Sequence, residues 1–382
     1  MLAAVPVLCF GVFSGFAAPL SRRFGEERVL GAALILLVAG LLLRSAWPGV
    51  LLFPGTVIAS GAIALMNVLL PSLIKRRHPD HAGLLIGLYL LSLAAGAIAA
   101  ALIAVPVFTA AAGAGAGGAA AGGAAAGGAA AASGTAGGAV RLTLGLWALP
   151  ALAAAAFWLP QLRLRTLPRP AAAQVRQRGM LAMSRSALTW QVTAFMGLQS
   201  LTYYAALSWF PTLFRDRGVS AVHAGDLLAL MSLGNAFTAM LLPVLAHRAR
   251  DQRMLAAISV LITAAGMIGA AFGPLDTAAP LMFVLGLGQG ATLGLSIFIF
   301  TARAPDPATS ASLSGFAQAG GYLLASTGPL LIGVLHAVTG GWTVPVWALL
   351  GFTALQLVTG WQAGRDLKVP TVGAAAARAS VP

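Results

Sequence analysis

Long apolar runs separated by short polar breaks fill the chain, and within a run there is no alternation of apolar and polar positions. Eleven runs stand out, at about 1–20, 29–46, 49–74, 83–107, 142–160, 188–214, 221–246, 254–273, 278–302, 309–336 and 342–363. Most are near the length that a helix rising about 1.5 Å per residue needs to cross roughly 30 Å of hydrocarbon. Transmembrane strands would be short and alternating, which these runs are not. The pattern predicts an all-α polytopic membrane protein with 11 spans.

Two breaks are longer than a loop. Residues 110–138 contain only Ala, Gly, Ser and Thr. Each Gly costs a helix about 1 kcal/mol relative to Ala, so the repeated Gly pairs predict a low-complexity insertion and not a span. Residues 161–187 carry Arg163, Arg165, Arg169, Arg176, Arg178 and Arg185 with Pro168 and Pro170, the makeup of a cytoplasmic linker. The expected organisation is an N-terminal half over 1–160 with five spans, the linker, a C-terminal half over 188–364 with six spans, and a tail over 365–382.

Composition agrees with lipid as the solvent. The chain is 59% hydrophobic and 8% charged, against about 25% charged residues in ordinary soluble domains. A formal charge of +14 raises the question of nucleic acid, but the basic residues sit in loops between apolar runs and form no basic domain. Assigned to alternate sides of a membrane, 19 of the 23 Lys and Arg fall on the side of the linker and the C-terminus. The remaining four are Arg44, Arg141, Arg215 and Arg217. This bias places the linker and C-terminus in the cytoplasm of a bacterial cell, and Met1 outside.

Catalytic chemistry is not supported. Cys9 is the single cysteine, so intrachain disulfides and cysteine metal clusters are excluded. His78, His81, His223, His247 and His336 lack metal-ligand spacing, and no Ser/His/Asp or paired-carboxylate arrangement is present. The Gly-rich insertion has no Gly-Lys-Ser/Thr, so nothing points to a phosphate loop or to ATP-driven pumping. No enzyme activity, cofactor or metal is expected. The expected partners are the lipid bilayer and a small-molecule solute; a monomer is compatible with the sequence, which does not fix an oligomeric state.

An internal repeat organises the spans. PLSRRFGEERVL (19–30) matches VLAHRARDQRML (244–255) at an offset of 225, with Arg23 on Arg248, Arg28 on Arg253 and Leu30 on Leu255. Pro79 and Asp80 fall on Pro305 and Asp306 at 226, and Gly87 on Gly315 at 228. Two parallel repeats flanking a basic linker are the organisation of a major facilitator transporter. The second repeat has one span more than the first, and the counterpart of residues 187–214 projects to a position before Met1. Relative to twelve spans, the first is expected to be lacking, through a misassigned start or a truncated gene.

Four segments carry a resemblance to the cyanate permease and 2-nitroimidazole transporter branch of the major facilitator superfamily. They are AAVPVLCFGVFSGFAAPLSRRFG from Ala3, MNVLLPSLIKRRHP from Met66, TWQVTAFMGLQSLTYYAALSWFPTLFRDRG from Thr189 and SGFAQAGGYLLASTGPLLIGVLHAVTGGW from Ser314. In the superfamily's switch loop, Leu20, Arg23 and Gly25 are in place. Arg22 stands where Asp is expected, Glu26 where a basic residue is common, and the Arg-Pro pair of the first helix is absent. The resemblance implies two pseudo-symmetric halves, secondary transport by alternating access, and a conformational role for Arg23, Gly25, Arg28 and Arg248.

Transport by rocking halves needs a polar site near the midplane, and an unsatisfied polar group in hydrocarbon is costly. Deep in the spans stand Asn67, Gln199, Asn235, Gln289 and Gln318. Gln199 and Tyr203 share a helical face at i and i+4 with Tyr204 beside them, and Gln318 and Tyr322 repeat the spacing. Amides and phenols there can hold a small polar or anionic solute, with aromatic faces for a planar one; equally, Asn235 and Gln289 can bond helix to helix, and Trp209 can be packing or an interfacial anchor. The solute classes considered are cyanate-like, nitroimidazole-like and small organic acids, and the alternative function is a non-transporting sensor or an inactive remnant. No Asp, Glu, Lys or Arg lies at the centre of any span; Asp226 comes nearest, close to a helix start. Small-xxx-small faces at Gly83 and Gly87, and at Gly286, Gly290 and Gly294, predict close helix packing.

Overall fold

The computed structural model describes residues 5–46, 50–77, parts of 81–111, 138–163 and 183–370. The insertion over 110–138 lies almost wholly outside the described residues, as do residues 164–182 of the linker over 161–187, Gly83, Gly87 and the end of the tail. Described elements of the first half are α1 (Val5–Phe24), α2 (Glu26–Ala46), α3 (Leu52–Arg77) and α4 (Ala148–Trp158), the last running into a 3-10 turn over Leu159–Arg163. The second half has α5 (Ala187–Asp216), α6 (Ala221–Arg248), α7 (Arg253–Phe272), α8 (Ala278–Ala302), α9 (Pro307–Thr339) and α10 (Thr343–Ala363). Eight helices among the described residues are long and apolar enough to cross a membrane. Of these long helices, α1 and α5 fall below that measure, and for α5 the reason is chemical. It carries Thr189, Gln191, Thr193, Gln199, Ser200, Thr202 and Ser208, and it is sheathed by α6, α8, α9 and α10 instead of facing lipid.

Local chemistry sets several helix ends. Asp306 caps α9 by accepting from the Thr309 amide at 2.9 Å with Pro307 in the first turn, which starts the helix two residues before the apolar run. Gly340 closes it in the left-handed region at φ 67°. Gly25, at φ 88°, lets the chain reverse between α1 and α2 with a single residue.

The repeat is visible in which helices touch. In the first half α1 and α2 pack on α3, and α4 packs on α2; in the second α6 and α7 pack on α8, and α10 packs on α7. The predicted glycine face on α8 is the tightest of these seams. Cβ atoms on Gly286 and Gly290 would run into the Met231 and Asn235 carbonyls of α6, and one on Gly294 would meet the Ala239 carbonyl at 2.6 Å. The i, i+4 glycines of one helix therefore lie on an i, i+4 row of backbone of the other. On the opposite side, α5 meets α9 where a Cβ on Gly197 would be 3.0 Å from the Gly321 Cα.

At the linker end, each half is tied by an arginine at repeat-related positions. Arg77 pairs with the fully buried Glu27 at 3.0 Å and donates to Gln161 at 2.9 Å, while the Trp158 indole donates to the Glu27 carbonyl at 2.9 Å. Arg303 donates to the Gln252 side chain, to the carbonyls of Ala363 and Gly364 at 2.9 Å each, and faces Asp366 at 3.6 Å. Glu27 and Gln252 are 225 apart and Arg77 and Arg303 are 226 apart, the offsets of the loop repeat. Burial pushes the Arg303 guanidinium down from the usual arginine value, and Asp366 and Asp251 oppose that shift. At the other end Asp216 accepts from the Trp342 indole at 2.9 Å, and His336 packs on that ring at 4.0 Å, joining α5, α9 and the start of α10. The halves meet where α1 crosses α9, with the Cβ position of Gly11 3.1 Å from the Leu323 amide nitrogen.

Two outcomes follow. Gly290→Val drives its side chain into the Asn235 backbone; overpacking of this kind costs about 1–3 kcal/mol or more, so thermal unfolding in detergent falls well below wild type. Arg303→Met leaves Gln252 and two carbonyls without their donor, at about 1–3 kcal/mol per unpaired buried group, whereas Arg28→Met, on an exposed side chain, leaves the midpoint unchanged.

Candidate solute-binding site

The predicted polar residues all lie at mid-helix, but they divide into two groups by what they touch. Gln199 and Gln289 form one group. Both are buried, Gln199 aims its amide at the Gln289 carbonyl at 3.4 Å, Gln289 donates to the Thr202 hydroxyl at 3.2 Å, and Ser200 donates to the Gln199 side-chain oxygen at 3.1 Å. These groups bond α5 to α8. The Gln289 side-chain oxygen is buried and has no hydrogen-bond partner, and the same holds for the Asn235 amide nitrogen on α6.

The second group spans both halves. Tyr203 and Tyr204 are edge to face at 5.4 Å on α5. Tyr322 of α9 lies within electrostatic reach of Tyr204 and of Tyr89, and its ring meets Phe10 of α1 edge-on at 5.9 Å. Tyr89 in turn donates its hydroxyl to the Asn67 side chain of α3 at 2.8 Å. All four tyrosines of the chain thus belong to one linked group. The α5–α9 approach at Gly197 and Gly321 is what brings Tyr203 and Tyr204 beside Tyr322. Hydroxyls of Tyr203, Tyr204 and Tyr322 hold no hydrogen bond among the described residues, and none of them is a fully buried orphan. Gln318 sits one turn from Tyr322 with its amide nitrogen bonded to Ser314 at 2.8 Å.

Tyr89 was not among the residues singled out from the sequence. Its one polar neighbour at helical spacing is Ser92, which donates to the Tyr89 carbonyl at 2.8 Å, so only the tertiary contact with Asn67 marks its hydroxyl. Trp209 resolves to packing: its indole donates to the Pro329 carbonyl at 2.8 Å and its ring lies against His336 and Trp342. Of the switch-loop residues, Gly25 is buried at its turn. Arg23 is exposed over the Phe24 ring at 5.2 Å, and Arg28 is exposed. Arg248 is exposed beside a shallow groove of about 470 Å³ lined by Pro243, Val244, His247 and Phe298. The groups that anchor that end of each half are instead Glu27, Arg77, Gln252 and Arg303.

Two helical halves with matching internal contacts, meeting over a mid-depth polar centre, are the architecture of an alternating-access carrier. The sequence profile of the Major Facilitator Superfamily matches residues 1–323. The chain belongs to that superfamily. It is 38% identical over 370 residues to the 2-nitroimidazole transporter of Escherichia coli (strain K12), covering 97% of this chain and 86% of the relative. It is 27% identical over 362 residues to the cyanate transport protein CynX of the same organism, covering 94% and 86%. A crystal structure of a D-xylose-proton symporter matches with TM-score 0.67 at 17% identity over 96% of this chain and 87% of that one, a likeness of fold. The protein is accordingly a multi-pass membrane transporter of this superfamily.

The division of the polar residues is testable. Gln289→Leu removes a bond between helices of a kind that averages about 0.6 kcal/mol in a membrane protein; its thermal stability stays within about 1 kcal/mol of wild type, and solute binding persists. A loss of solute binding in a folded Gln289→Leu protein assigns that amide to the site instead.

Proposed function

We propose that this chain is a secondary active transporter that carries a small planar solute of the nitroimidazole type across the bacterial inner membrane by alternating access, with its C-terminus in the cytoplasm. The observation that carries the reading is the crossing of the halves at Phe10 and Tyr322, with Asn67 bonded to Tyr89 in the first half and Tyr203 edge to face with Tyr204 in the second. A group that belongs to both halves is made and broken as the halves rock, so a solute held there is exposed to one side at a time. Phenol rings offer flat apolar faces for a ring-shaped solute, and the hydroxyls of Tyr203, Tyr204 and Tyr322, which hold no hydrogen bond among the described residues, offer both donors and acceptors at its edge. Similarity to a 2-nitroimidazole transporter over nearly the whole chain supports the solute class. The distribution of Lys and Arg, 19 against 4, supports the orientation. Gln318 completes the site from α9, while Gln199 and Gln289 hold α5 to α8 behind it.

Solute-induced thermal stabilisation tests this reading. At a free concentration of about 100 Kd, a ligand that binds only the folded protein adds about 2.7 kcal/mol, which appears as a clear rise in Tm with 2-nitroimidazole. Tyr322→Ala reduces that rise, and proteoliposomes holding the wild-type chain take up the solute. Absence of both stabilisation and uptake, with the protein folded, refutes the proposal.

A further inference from the structure

The tyrosine centre also fixes the charge state of what it can hold. We infer that the site takes its solute in uncharged form and rejects anions, cyanate and ionised acids included; the inference rests on the location of the site proposed above. Between Phe10 and Gly15 on α1, across residues 83–107, throughout α8 and α10, and at the middle of α3, α5 and α9, the sequence contains no Asp, Glu, Lys or Arg. Along the helices that carry the cluster, the Asp, Glu, Lys or Arg position nearest in sequence is Lys75, eight residues from Asn67 on α3, or about 12 Å at the helical rise. At that distance a single charge returns far less than an ion loses on leaving water.

Neither α5 nor α9 offers a second source of positive potential. Carriers that bind anions without a cationic side chain aim the N-terminus of a broken helix at them. Here α5 and α9 pass the cluster as continuous helices of 30 and 33 residues, and their N-termini lie at Ala187 and Pro307, far along the axis from Tyr203 and Tyr322. The polar atoms on offer are matched to a neutral heteroaromatic ring. Three phenol hydroxyls both donate and accept, and the side-chain oxygen of Gln318, whose nitrogen is engaged by Ser314, only accepts. An acceptor-only anion would oppose that oxygen; a ring with one N–H and one bare nitrogen satisfies both kinds.

The test uses the purified full chain with three probes: 2-nitroimidazole, which can lose its N–H proton, its 1-methyl derivative, which cannot, and cyanate. Apparent affinity is read from thermal shift over a pH range that brackets the solute's own pKa, measured for the solute alone. The expected result is a pH-independent affinity for the methyl derivative, an affinity for the parent that falls by about tenfold per pH unit above the solute's own pKa, and no shift with cyanate. Parent binding that holds or tightens as the solute ionises, or cyanate binding as strong as that of the methyl derivative, overturns the inference while leaving the site in place. Failure of all three probes removes the nitroimidazole reading itself, and the charge selectivity with it.

Discussion

Close approach of backbones is the constraint on which this molecule depends. In lipid, burying apolar side chains between helices gains little, because the solvent is as apolar as the interface, and association rests on van der Waals packing and interhelical hydrogen bonds. Gly286, Gly290 and Gly294 let α8 lie directly on the α6 backbone, and Gly197 and Gly321 do the same for α5 and α9. The first seam builds a rigid wall. The second sets where Tyr203, Tyr204 and Tyr322 stand relative to one another, so the geometry of the polar centre follows from residues that have no side chain at all.

Each half is closed at its linker end by an arginine, yet the two closures differ in chemistry. Arg77 is balanced by the buried Glu27 carboxylate; Arg303, more deeply buried, is held by the neutral Gln252 and main-chain carbonyls, with the exposed Asp366 supplying the countercharge. Both ties run within a half, from the end of α3 or α8 to the start of α2 or α7 and to the end of the half's last helix. They make each half a unit without joining the two units to each other. The seam between halves at α1 and α9 is formed instead by Gly11, Leu323, Phe10 and Tyr322, apolar and aromatic contacts that can separate without leaving a buried charge behind.

Much of the fold was legible because span length and the hydrocarbon requirement are the same constraint. A continuous apolar run of about 20 residues has few alternatives. The repeat was legible in the loops, where Arg23 and Arg248 keep their spacing, since loop charges have fewer packing duties than span residues. The partition of the polar residues was not. Helical spacing puts Gln199 and Tyr203 on one face, but a face of a helix in a bundle can be divided between two neighbours, and Gln199 turns to α8 while the tyrosines turn to α9. Tyr89 was invisible for the complementary reason: its meaning lies in Asn67, 22 residues away on another helix.

The distribution of polarity among the helices ties these observations together. Polar side chains in a span are tolerated only where protein or a cavity receives them. The helix richest in them, α5, is largely enclosed, and it faces α8 with Gln199 and Thr202, which bond to protein, and α9 with phenols that hold no hydrogen bond among the described residues. A helix selected only for packing could satisfy all its polar groups as it does on the α8 side. That the two phenols on its other side, and Tyr322 facing them from α9, hold no hydrogen bond among the described residues means that the hydrogen-bonding capacity left over there is available to something outside the chain. Its neutrality then limits that something to a solute that can leave water without leaving an ion's hydration behind.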